Sequence, residues 1–243
     1  MNTPSTLHNF FFNVYPYICL AVFLMGSLAR FDRDQYTWKS DSSQLLRAGQ
    51  LRWGSNLFHI GILFLFFGHL FGLLTPHWFY EGFLSAEAKQ RVAIYAGGVA
   101  GVVCFIGLSM LLHRRIFDPR IRLTSHRTDL AILVILWIQL TLGLITLPYS
   151  YSHSDGSAML ILAEWAQRIV TFQPDAANLV VMEWPYKVHL VLGMTIFLLF
   201  PFSRLVHVWS GFATVTYLFR PYQRVRSRRL NLPADQREAR RAR

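Results

Sequence analysis

The stretch NLFHIGILFLFFGHLFGLLTPHW, from Asn56 to Trp78, contains no acidic residue, no lysine and no arginine. An uncharged run of about 20 apolar residues is long enough to cross the hydrocarbon core of a bilayer as an α-helix. Similar runs recur along the chain, since only 15% of its 243 residues are charged, against about 25% in soluble domains. The runs are too long and too uniformly apolar for barrel strands, so the sequence predicts an all-α integral membrane protein.

Five such runs are predicted to form transmembrane helices. Pro185 suits the first turn of the fifth helix, whereas Pro201 lies inside it. A kink is expected at Pro201, because proline lacks an N–H group and its ring crowds the preceding turn. The predicted spans are Phe10–Ala29, Ser55–Thr75, Val92–Leu112, Leu130–Leu147 and Tyr186–Trp209.

Lysine and arginine are distributed unequally between the two ends of these spans. Of the 24 basic residues, 20 lie in the first and third connections or from Arg204 onward. The positive-inside rule therefore places the N-terminus outside, in the periplasm, and the C-terminus in the cytoplasm. Residues 1–215 are expected to form the membrane domain. Residues 216–243 form a basic cytoplasmic tail, expected to meet anionic lipid or a partner subunit rather than nucleic acid.

The longest connection on the outer side covers residues 149–184. Its segment SAMLILAEWAQRIVTF carries apolar residues at nearly helical spacing, which predicts an amphipathic helix. With Trp165 and Phe172 at its apolar face, this helix is expected to lie flat on the outer leaflet.

Four histidines fall inside the second and fifth predicted spans, which run antiparallel. His69 and His189 lie near the outer ends of their spans, and His59 and His207 near the inner ends. On a continuous fifth helix, positions 189 and 207 would share one face at about 100° per residue. The topology therefore predicts two pairs of histidines at matching depths in the membrane.

Intramembrane ionisable side chains are costly and usually functional. Helix–helix hydrogen bonding is the simplest alternative role for these histidines. Zinc or copper would need more ligands than two imidazoles, and acidic or cysteine partners are lacking at the same depth. A haem iron needs only two axial ligands, so two stacked b-type haems are the favoured interpretation. Cys19 and Cys104 lie within spans and are too few to hold an iron–sulfur cluster.

Several motifs resemble the gamma subunit of respiratory nitrate reductase, the membrane cytochrome b subunit. They include YPYICLAVFLMGSLARFD, SNLFHIG, GHLFGLLTPHW, WAQRIVTF and HLVLGMTIFLLFPFSRLVHVWS, and the likeness runs from about residue 10 to residue 209. The chain departs from the pattern in QPDAANLVVMEWPYK and in its longer arginine-rich tail. The resemblance implies two haem b groups, a distal one held by His69 and His189 and a proximal one held by His59 and His207.

The resemblance also implies a quinol site beside the distal haem, formed by His69, Lys89 and the backbone near Gly68. Quinol would be oxidised at the periplasmic side. Electrons would pass through the distal and then the proximal haem to iron–sulfur clusters of a cytoplasmic beta subunit. Nitrate chemistry would belong to a molybdenum-containing alpha subunit, and the complex would sit in the bacterial inner membrane.

Basic residues at the cytoplasmic ends of the spans are candidates for a second role. Haem propionates drawn into lipid need cations or hydrogen-bond donors, and Arg204, Arg114 and Arg115 lie at the depth of the inner histidines. Positive-inside anchoring alone is the alternative. Two other functions also stay open at this point. One is a dihaem, quinone-linked anchor of a different respiratory oxidoreductase, and the other is a non-redox membrane transporter.

Overall fold

The computed structural model describes residues 4–33, 46, 48–123 and 125–209. Every regular element in these residues is helical. Five helices are long and apolar enough to cross a membrane, which confirms the predicted all-α class and the number of spans. These five are Thr6–Phe31, Ala48–Leu74, Ala86–Phe117, Arg127–Ser152 and Trp184–Phe202.

The first, third and fourth helices extend beyond both ends of the apolar runs that predicted them, because polar residues outside the hydrocarbon continue the helical hydrogen bonding. The third span, for example, has 32 residues and is capped by Ser85, whose side chain accepts from Ala88 N. In chain order the helices are α1 (Thr6–Asn9), α2 (Tyr15–Arg33), α3 (Ala48–Leu74), α4 (His77–Tyr80), α5 (Ala86–Phe117), α6 (Pro119–Leu123), α7 (Arg127–Ser152), α8 (Ser157–Val170) and α9 (Trp184–Leu199), with a π-helix, Phe10–Val14, between α1 and α2.

Helices α3 and α5 pack with their backbones in close contact. A Cβ atom built on Gly61 would lie 2.8 Å from the backbone N of Cys104, so no side chain fits at position 61. Cys104 itself is fully buried, and its Sγ lies 3.7 Å from the carbonyl oxygen of Phe58. Small residues allow this approach in lipid, where dispersion contacts rather than water exclusion hold helices together.

The remaining spans follow in the order α5, α7, α9 and α2, each packed against the next. Hydrogen bonds between polar side chains join neighbouring helices within the apolar bundle. Such bonds satisfy the polar groups in lipid, where no water is available. The bonds are Trp137 Nε1 to Ser109 Oγ at 3.0 Å, Tyr186 Oη to Ser150 Oγ at 2.6 Å, and Tyr15 Oη to Thr195 Oγ1 at 2.9 Å.

The fifth span breaks at Pro201, where a kink was predicted. Helix α9 ends at Leu199 and is followed by two short 3-10 turns, Phe200–Phe202 and Arg204–Val206. Ser203 between them is extended, with φ −120° and ψ 174°. The predicted kink is present, but it is a break in the helix, so a count at 100° per residue from His189 to His207 does not hold across it. The missing N–H of Pro201 and the extended Ser203 redirect the chain before His207.

Helix α8 packs against other helices, whereas its amphipathic pattern suggested contact with lipid. The Trp165 side chain is buried, and its Nε1 donates to the carbonyl oxygen of Phe12 at 2.9 Å. Gln167 Nε2 donates to the carbonyl oxygens of Leu73 and Thr75, at 2.9 and 3.3 Å, and so caps the C-terminal end of α3. Periodicity identified an apolar face but could not identify what covers it.

Candidate functional site

The two inner histidines face each other. The ring centres of His59 on α3 and His207, after the break in the fifth span, are 6.3 Å apart, and their planes are inclined by 78°. This pairing is the one that the antiparallel topology predicted. His207 lies beyond the break at Pro201, directly after the turn Arg204–Val206.

The two outer histidines form a second pair. The ring centres of His69 on α3 and His189 on α9 are 6.2 Å apart, with an angle of 39° between the planes. Gly143 on α7 leaves room for this pair, since a Cβ atom built there would lie 3.0 Å from Cε1 of His189.

All four imidazoles are oriented in the same way. In each ring Nδ1 lies within hydrogen-bonding distance of a backbone carbonyl oxygen, so Nδ1–H donates and Nε2 keeps its lone pair. Three acceptors are nearby in sequence, and the fourth lies on another helix. The acceptors are Ser55 for His59 (2.7 Å), Leu65 for His69 (2.7 Å), Arg204 for His207 (2.7 Å) and Gln139 for His189 (3.1 Å).

Carbonyl bonding of this kind fixes the tautomer and ring direction of metal-binding histidines. Within the described ranges, no group of three or more His, Cys, Asp or Glu side chains is placed to hold a metal ion. Each pair brings two imidazoles together.

Gln139 on α7 is a site residue that sequence reasoning missed. Its Nε2 donates to the carbonyl oxygen of His189 at 3.0 Å and lies 3.4 Å from Nε2 of that histidine. The backbone carbonyl oxygen of Gln139 accepts from His189 Nδ1. An amide within the otherwise apolar run LAILVILWIQLTLGLITL was the signal that could have identified it.

The three candidate arginines at the inner end have different partners. Arg204 and Arg115 both approach Asp129 Oδ2, at 3.3 and 3.6 Å, and the side chains of this cluster are at most 20% exposed. Arg114 is buried and donates to the carbonyl oxygen of Leu46 at 2.7 Å. Sequence reasoning missed Asp129, which directly precedes the predicted fourth span and lies in the first turn of α7.

Lys89 lies in the first turn of α5, at the outer end of the bundle. Its Nζ is buried, has no hydrogen-bond partner among the described residues, and lies 3.9 Å from the centre of the Tyr80 ring. The next residue, Gln90, fixes this end of α5, because its Nε2 donates to the carbonyl oxygens of Ser150 and His153 at 2.9 and 2.7 Å.

Gly68, the residue before His69, has an open surface. A Cβ atom built on it would meet nothing within 4 Å. The residue lies in an open, almost entirely apolar groove on the surface of α3. The groove is lined by Ile60, Leu63, Phe64, Phe67, Gly68 and Phe71.

Comparisons with known proteins identify the family of the chain. A family model described as nitrate reductase gamma subunit matches residues 8–228. The chain is 54% identical over 223 residues to the respiratory nitrate reductase 1 gamma chain of Escherichia coli (strain K12), which covers 91% of this chain and 98% of the relative. It is also 54% identical to the respiratory nitrate reductase 2 gamma chain of that organism, over 92% of this chain and 98% of the relative.

A more distant relative shows the same extent of similarity along the chain. The nitrate reductase gamma chain of Bacillus subtilis (strain 168) is 36% identical over 216 residues, covering 88% of this chain and 96% of the relative. Five apolar helices and these relatives identify a multi-pass protein of the bacterial inner membrane, and the chain belongs to the nitrate reductase gamma subunit family.

Proposed function

We propose that this gamma subunit is the membrane cytochrome b of a respiratory nitrate reductase and binds two haem b groups. His69 and His189 would hold the distal, outer haem, and His59 and His207 the proximal, inner one. The observation that carries the proposal is the spacing of the two histidine pairs, at 6.2 and 6.3 Å between ring centres.

Each pair brings two imidazoles close enough to share one metal ion, since a metal–imidazole bond is about 2.0–2.1 Å long. His69 with His189, and His59 with His207, would therefore each hold one haem b group. The Nδ1 atoms, each bonded to a backbone carbonyl oxygen, fix the tautomer in which Nε2 carries the lone pair. Bound haem b supplies one-electron redox chemistry at these two depths.

The basic residues orient the chain in the membrane. Their 20-to-4 division between the two sides, obtained from the 24 lysines and arginines, supports a periplasmic N-terminus and a cytoplasmic C-terminus. Partner subunits with iron–sulfur clusters and molybdenum would then dock at the cytoplasmic face, near His59 and His207. The basic tail, residues 216–243, is expected to contact these partner subunits or anionic lipid. It lies outside the described residues.

The quinol site is proposed at the outer end, around Gly68, His69 and Lys89. The apolar groove beside Gly68 suits the hydrocarbon part of a membrane quinol, and the ammonium of Lys89 is a donor for a quinol oxygen. Electrons that move inward while protons leave outward transfer charge across the membrane. Each elementary charge moved against about 100 mV stores roughly 2.3 kcal/mol, so the division into an outer and an inner site conserves energy.

The cluster at the inner end is expected to tune the proximal site through its charges. Asp129→Asn removes a negative charge and should raise the midpoint potential of the proximal haem, while Arg204→Gln removes a positive charge and should lower it. In a partly buried site, removing one such charge is expected to shift the midpoint potential by roughly tens of millivolts. Redox titration of membranes containing each variant complex measures both shifts.

Arg122→Gln is the matched control for this prediction, because Arg122 is a basic residue of the same face with an exposed side chain. It should leave both potentials unchanged. Equal shifts in the same direction for Asp129→Asn and Arg204→Gln would contradict a role through charge. A shift in the midpoint potential of the distal haem alone would contradict the prediction that the cluster acts on the proximal site.

An absorption spectrum tests the proposed function as a whole. The purified complex is expected to show a b-type band in the reduced-minus-oxidised spectrum, with two haems per gamma subunit by pyridine haemochrome assay. A correctly folded but colourless gamma subunit would contradict the proposal and favour a non-redox membrane protein. If the co-purifying subunits did not reduce nitrate, the electron acceptor would be a different one, and the chain would be the anchor of another respiratory oxidoreductase.

A further inference from the structure

The ammonium group of Lys89 is in an unusual environment for a cation at a membrane boundary. Its Nζ is buried, and no acceptor atom of the described residues lies within hydrogen-bonding distance. A buried ammonium without a partner is strongly disfavoured. The contact that compensates is the face of the Tyr80 ring, whose centre is 3.9 Å away. A ring face at this distance stabilises a cation through its quadrupole.

Tyr80 is itself held rigidly. Only 3% of its surface is exposed, and it ends α4, whose chain turns back through hydrogen bonds from Phe83 N and Leu84 N to the Tyr80 carbonyl oxygen. The ring of His77 lies 5.2 Å away in an edge-on arrangement. His77 is in turn 2.8 Å from Glu81, which anchors the first turn of the same segment.

The phenol ring also stays neutral. Burial raises the pKa of the Tyr80 hydroxyl above its usual value of 10.0, with a further contribution from the charge of Glu81. The cation therefore faces an uncharged π surface rather than a phenolate. A carboxylate in this place would occupy the N–H groups of the lysine and neutralise it, whereas a ring face leaves them available.

We propose that Tyr80 is a positioning residue of the quinol site: its ring holds the Lys89 ammonium in place and leaves the N–H groups free to donate to an oxygen of a hydroxylated aromatic ligand. The inference rests on the proposed role of Lys89. The flexible stem of the lysine allows Nζ to turn towards a ligand while it stays over the ring. Tyr80 thereby provides the cation with a partner that does not compete with the substrate.

The test measures haem reduction in the assembled complex by stopped flow, with a short-chain menaquinol analogue as donor. Tyr80→Phe keeps the ring, so the rate of haem reduction in this variant should lie within about 2-fold of the wild-type rate. Tyr80→Leu removes the ring and should slow reduction at limiting quinol by about 2- to 30-fold. Phe79→Leu is the control, because Phe79 is the adjacent aromatic residue of α4 and is 60% exposed; it should behave as wild type.

A double variant tests whether Tyr80 acts through the lysine. Tyr80→Leu combined with Lys89→Ala should be no slower than Lys89→Ala alone, since the ring then has no cation to hold. Haem content and full reduction by dithionite show that each variant has assembled. If Tyr80→Leu does not load haem, Tyr80→Met provides similar volume without a π face.

The outcomes separate this inference from the proposed function. A slow Lys89→Ala variant beside an unaffected Tyr80→Leu variant overturns the role of Tyr80 alone. A Tyr80→Phe variant as slow as Tyr80→Leu overturns it too, because the hydroxyl group rather than the ring would then matter. A further slowing by Tyr80→Leu in the Lys89→Ala background shows an independent effect and also overturns it. A Lys89→Ala variant with wild-type rates removes the lysine from the quinol site, and the inference with it.

Discussion

Replacing His69 or His189 by alanine is expected to remove the distal haem alone, and replacing His59 or His207 the proximal haem alone. Each pair has its ring centres 6.2 or 6.3 Å apart, so loss of one imidazole leaves a two-ligand site with a single protein ligand. Redox titration of each variant should show one of two midpoints lost, together with about half of the b-type absorbance.

His113→Ala is the control for these four variants. His113 lies near the C-terminal end of α5, and its ring packs against Phe117 with the centres 4.7 Å apart. Both midpoints should persist in it. The pairing would be refuted if His69→Ala and His207→Ala removed the same midpoint, or if any one substitution removed both while the protein remained folded.

Lys89→Ala is expected to keep both haems and to slow their reduction by quinol analogues by about 10- to 150-fold, the effect of losing one hydrogen bond from a charged donor. Reduction by dithionite should be unaffected, because it does not need the quinol site. Stopped-flow spectroscopy with menaquinol- and ubiquinol-like donors measures the rates.

Arg91→Gln is a matched control for the lysine. Arg91 lies two residues further along α5, on the same outer side, and forms an exposed ion pair with Glu87. Such surface pairs contribute little, so its removal should leave quinol oxidation unchanged. Wild-type rates in Lys89→Ala, or equal slowing in both variants, would return Lys89 to a general role at the membrane surface.

The sequence allowed the five spans and the two histidine pairs to be predicted, because depth in a membrane can be counted along a helix. His69 and His189 lie together because they are at matching depths on antiparallel spans. Counting along a helix does not show which side chains of other helices lie beside it at that depth. The contact of Gln139 with His189 and that of Asp129 with Arg204 depend on how α7 is rotated against α9 and the turns after it.

Two other features depended on local geometry that a periodic pattern does not contain. Pro201 predicted a kink, but the extended conformation of Ser203 and the two 3-10 turns follow from packing at the end of the helix. The stripe on α8 predicted an apolar contact, yet only the structure shows that Trp165 reaches the backbone of Phe12 rather than lipid. Similarly, Lys89 was singled out as a cation, whereas its ring partner Tyr80 was not.

The carbonyl acceptors of the histidines also bear on the order in which the protein matures. His59, His69 and His207 donate to carbonyl groups three or four residues earlier, so each is oriented once its own segment has formed. His189 donates to Gln139 on another helix. Membrane helices insert first and associate afterwards. The imidazoles of the outer pair are therefore both oriented only after α7 has associated with α9.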